Sequence, residues 1–101
     1  MPVSEETRTK ARDAVHRLSR KRDILRGRIS HIETLKRDED SNFQMRWNSQ
    51  SEDWKRSLEG IQYKAAAEDD SRRYTFDLEI LQGQIDDTST ELRLMELIAS
   101  G

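Results

Sequence analysis

The chain has 101 residues, of which 33% are hydrophobic and 38% charged, and a net charge of −2. That length allows one domain at most, spanning 1–101, and so little apolar material excludes a thick globular core. Disorder is the alternative for such a composition, but the weak net charge and the periodic apolar residues favour slender folded helices.

Cysteine is absent, which rules out a disulfide framework and thiolate chemistry and suits a reducing compartment. No apolar run nears the roughly 20 residues of a membrane span. The start, Met1-Pro2-Val3-Ser4-Glu5-Glu6, lacks the apolar core of a signal peptide. The expectation is a soluble, cytoplasmic protein without membrane contact. Charge is unevenly placed: residues 1–37 hold eleven Lys/Arg against five Asp/Glu, and residues 38–101 hold seven against fifteen. Such a split fits two helices that attract each other, or a nucleic-acid surface with an acidic tail.

In chain order, the first helix is expected over about 4–38. Ser4 is a suitable N-cap, and Glu5 and Glu6 complement the dipole of the first turn. Ala11, Leu18, Leu25 and Ile32 recur every seventh residue as d positions of a heptad, with Val15 and Ile29 at a positions. Arg8, Arg22 and Lys36 fill the remaining a positions. Two apolar residues in seven make a coiled-coil seam rather than the broad face of a globular helix. Acids precede bases by four residues at Glu6/Lys10, Asp13/Arg17 and Glu33/Arg37, the favourable order.

A loop is expected over about 39–50, where Ser41, Asn42, Asn48 and Ser49 are poor helix formers. Ser49-Gln50-Ser51-Glu52 reads as a capping box opening a second helix over about 51–99. Its seam resumes at Trp54, Leu58, Ile61 and Ala65. A fold-back centred near Met45 sets Ile32 against Leu58, Ile29 against Ile61 and Leu25 against Ala65. It also sets Arg22 against Glu68, a polar pair suited to fixing register.

A second stripe, Tyr63, Ala67, Tyr74, Leu78, Leu81, Ile85, Leu92 and Ala99, lies nearly opposite the first at 100° per residue, and Tyr74, Leu78, Leu81, Ile85, Leu92 and Met95 are expected to carry contact with another copy. A helix apolar on two faces needs two partners. The expectation is a continuous helix bridged by Glu68/Arg72 and Asp69/Arg73, its second stripe covered by another copy in a four-helix arrangement. Breaks near 68–71 or 86–88 are the alternative.

For chemistry the sequence offers little. His16 and His31 sit at outward positions without metal-ligand spacing, and the carboxylates fall in ion pairs or runs. The four glycines are isolated, so there is no phosphate-cradling loop. No catalytic, metal or cofactor residues are assigned, and an enzyme is not expected. Arg17, Arg20, Lys21, Arg26 and Arg28 form a basic face that could track a phosphate backbone, though no base-reading motif accompanies it. Phe43, Met45, Trp47 and Trp54 gather at the tip of the hairpin, either as a partner-binding knob or as a cap on the coiled coil.

Length, hairpin architecture and Trp47 resemble the small secreted helical hairpins that carry a central Trp-x-Gly turn. Here Ser49 replaces the glycine and Tyr74 is followed by Leu78 where that family has an acid, so its secretion role is not carried over. The overall expectation is an all-α antiparallel hairpin acting as an interaction module: a scaffold, adaptor or inhibitor. Its partners would be itself and an unidentified protein. A nucleic-acid-binding regulator is the rival.

Overall fold

The computed structural model describes residues 3–101; Met1 and Pro2, which begin the segment inspected for a signal peptide, lie outside that range. The chain forms α1 (Glu5–Asn48), α2 (Glu52–Arg56) and α3 (Leu58–Ser100), with no strand among the described residues. It is an all-α helical hairpin. Two compact units divide it: Met1–Ile29 with Ile80–Gly101, and Ser30–Glu79.

In the first unit, Arg12, Val15 and His16 lie beside Glu96, Ala99 and Ser100. Further along α1, Arg17 to Arg28 lie beside Gln84 to Leu94, so α1 and α3 run antiparallel. The seam read from the heptads of α1 is the one used. Ala11, Leu18 and Leu25 are buried, Leu18 to 4% exposure, while Arg8, Val15, Arg22 and Ile29 are half-buried. From α3 come Ile85, Thr88 and Leu92, the last 3% exposed. Each leucine fully buried in this way contributes roughly 1.5–3 kcal/mol. The Thr88 hydroxyl donates to the Gln84 carbonyl at 2.7 Å, which satisfies the one buried hydroxyl in the seam. Arg8 lays its stem on the seam and extends its guanidinium to Glu5 at 3.5 Å. Ser4 caps α1 as expected, accepting from the Thr7 amide.

In the second unit α1 runs on to Asn48, through the stretch expected to be a loop. Tertiary contact outweighs the poor propensities of Ser41 and Asn42 there. Phe43 and Trp47 keep helical spacing and stack on each other, and Phe43 also stacks on Tyr63 of α3. The turn is short. Ser49 and Gln50 donate to the carbonyls of Met45 and Trp47, and Ser51, not Ser49, caps the next helix by accepting from the Trp54 amide. α2 is a little over one turn. It ends at Ser57, whose backbone is extended and whose amide bonds back to the Trp54 carbonyl. Ser57 then caps α3, accepting from the Gly60 amide at 3.2 Å. Gly60 is buried at this junction, and a Cβ there would collide with the Trp54 carbonyl oxygen.

The second helix, expected to be continuous over about 51–99, is interrupted once, at Ser57; α3 then runs unbroken through 68–71 and 86–88, where the alternative placed a break. Moving the connection to 49–57 also moves the register, because any shift of the turn's centre is doubled in the pairing. Glu39, set opposite Ser51 by a fold-back about Met45, accepts a hydrogen bond from Tyr74 at 2.7 Å. That is a slip of roughly 23 residues along α3, not a whole number of heptads, so a different stripe of the helix turns inward. The two stripes of α3 thereby exchange roles. Ile85 and Leu92 are buried, and Tyr74, Leu78, Leu81 and Met95 half-buried, all in the seam within one chain. They are not the outward contact expected of them. Leu58, Ile61 and Ala65, expected to face α1, are exposed.

Candidate interaction surfaces

The tip is a ring stack. Phe43 lies 5.6 Å from Trp47 and 5.5 Å from Tyr63, centroid to centroid, and Trp54 meets Trp47 and Tyr63 edge-on at 5.9 and 5.7 Å. Lys55 and Lys64 place their ammonium groups 5.6 and 5.7 Å from the Trp47 ring, a cation–π arrangement. Three of the four residues assigned to the tip are therefore brought together as packing, with Tyr63 completing the group. Met45 alone stands away from the stack, 71% exposed. The rings are engaged with each other and with two lysines at the end of the hairpin.

Below the tip, the Tyr74 hydroxyl donates to Glu39. That bond holds the phenol's pKa above 10.0, with its slight burial and the Glu39 charge adding to the effect. Of the expected register pair, Arg22 belongs to the first unit, whereas Glu68 lies in the second and approaches Lys64 of its own helix at 4.0 Å. The bridging pairs also differ. Arg72 binds Asp69 at 3.1 Å, one turn back, in place of Glu68.

On the basic side, Arg17, Arg20, Lys21 and Arg28 line an open groove of about 820 Å³ in the first unit; Asp87 and Glu91 line it too. Arg26 is exposed outside the groove. Among the described residues none of these five cations comes within ion-pairing distance of a carboxylate. Ile24 and Leu94, both exposed, add apolar surface to the same groove.

The outward face of α3 is the feature the sequence reading missed. In the second unit Leu58 is 71% and Phe76 60% exposed, with Ile61 also in water. In the first unit Ile80, Leu94 and Leu97 are exposed as well. Phe76 follows Leu58 by about five helical turns, a spacing that marks a common face and that a search for heptads passes over.

No group of three His, Cys, Asp or Glu side chains capable of holding a metal occurs among the described residues. None of their helices is long and apolar enough to cross a membrane. No family model, curated protein or solved structure matches the chain.

Proposed function

We propose that this chain is a non-enzymatic protein–protein interaction module, a small coiled-coil scaffold or adaptor that works as a homo-oligomer. One observation carries the reading: α3 is apolar on two opposite faces, and only one is used within the chain, leaving Leu58, Ile61 and Phe76 in water. Large apolar side chains clustered on an outer face mark association surfaces. The cysteine-free composition supports a reducing, cytoplasmic setting. Light scattering at tens of micromolar should return a multiple of the 11.9 kDa chain mass. A mass of one chain at that concentration removes the oligomer.

A second reading, nucleic-acid binding along α1, is favoured by the unpaired cations of the groove in the first unit. Arg17→Glu, Arg20→Glu, Lys21→Glu and Arg28→Glu together should then abolish a nucleic-acid mobility shift that weakens steeply with salt. A shift indifferent to salt or to these changes would dismiss it.

A further inference from the structure

We infer that the outward face of α3 in the second unit pairs with the same face of a second copy, antiparallel, about a two-fold axis near Phe76. This rests on the homo-oligomeric reading above and names its contact. Phe76 is 60% exposed, although Phe is among the residues most often buried. Around it the charges are ordered: Arg72 and Arg73 precede it by one turn, and Asp77 and Glu79 follow within one turn. All four are exposed.

That order is self-complementary in one orientation only. When identical helices lie antiparallel, a flanking position meets a position on the same flank of its partner. Positions 72 and 79 lie about two turns apart on one flank of the Phe76 face, and positions 73 and 77 about one turn apart on the other. A two-fold axis near Phe76 therefore sets Arg72 against Glu79 and Arg73 against Asp77, each contact occurring twice by symmetry, with the two phenyl rings meeting between them. A parallel in-register pair would set each flank against the opposite flank of the other copy, bringing Arg72 beside the partner's Arg73, and like charges repel. Arg73, Asp77 and Glu79 have no ion-pair partner among the described residues, and Arg72 has only the exposed Asp69. The charges are thus available to a second molecule.

The absence of cysteine makes the register directly testable. An equal mixture of Arg72→Cys and Glu79→Cys chains should form a disulfide-linked dimer on mild oxidation. Each variant alone should cross-link far less, because its cysteine would stand ~10 Å along the axis from its twin. Phe76→Gln should weaken self-association at least tenfold by sedimentation while leaving the helical circular dichroism unchanged, since the ring makes no part of the seam. A wild-type dimer indifferent to Phe76→Gln, or one in which each cysteine variant cross-links as well alone as mixed, overturns this pairing and leaves the oligomer intact. A monomeric wild-type chain removes both.

Discussion

In the unit formed by Met1–Ile29 and Ile80–Gly101, aliphatic side chains recur by the heptad and disappear from solvent. In the unit Ser30–Glu79 the same two helices are joined by aromatic rings that remain half-exposed, and Gly60 is its only buried residue. The first arrangement spreads its stabilisation over Ala11, Leu18, Leu25, Ile85 and Leu92. The second concentrates it in four rings, each touching pair adding about 0.5–1.5 kcal/mol beyond the area it covers, and in one tight junction. Spreading gives tolerance of error at the turn. Concentration places the turn itself under the control of a few atoms.

The largest expected effect tests the seam. Leu25→Ala should lower stability by about 2–4 kcal/mol, read by urea or thermal unfolding. The same truncation at the exposed Leu58 should stay within about 0.5 kcal/mol under conditions where the chain is monomeric. Equal losses at the two sites would mean that the wrong face of α3 has been assigned to the seam. Next comes the junction. Gly60→Ala forces a Cβ against the Trp54 carbonyl and should cost roughly 1–3 kcal/mol, seen as a change in the near-ultraviolet dichroism of the tryptophans.

Gly27 sharpens the contrast from the other unit. A Cβ there meets nothing within 4 Å, so Gly27→Ala should stabilise by up to about 1 kcal/mol through helix propensity alone. A loss there would mean the position is crowded. The smallest effect is alkaline. Because the Tyr74 pKa lies above 10.0 in the folded chain, its bond to Glu39 adds stability that is whole below pH 10. This contribution is lost as pH rises through the raised value. Tyr74→Phe should lower stability at neutral pH and flatten that alkaline fall; an unchanged pH profile would show the bond to be idle.

Much of α1 was legible because its information is local and repetitive. Ser4 could be read as a cap, and the heptads of Ala11, Leu18 and Leu25 name the positions that are buried. The candidate surfaces were less legible. Phe43, Trp47 and Trp54 could be placed near the tip, but not the fourth ring, Tyr63, which depends on where the chain turns. Phe76 stood out in no heptad, and its exposure depends on which stripe of α3 turns inward.

The sequence by itself determined that the chain is all helical, that α1 carries a slender seam, and that the second half holds two apolar stripes on opposite sides. Only the tertiary structure decided which stripe is spent within the molecule. Both registers set apolar residues against apolar residues, so heptad periodicity cannot separate them. The choice is made by contacts that exist only after folding: ring on ring at Phe43 and Tyr63, and a carbonyl pressed close to a residue with no side chain at Gly60.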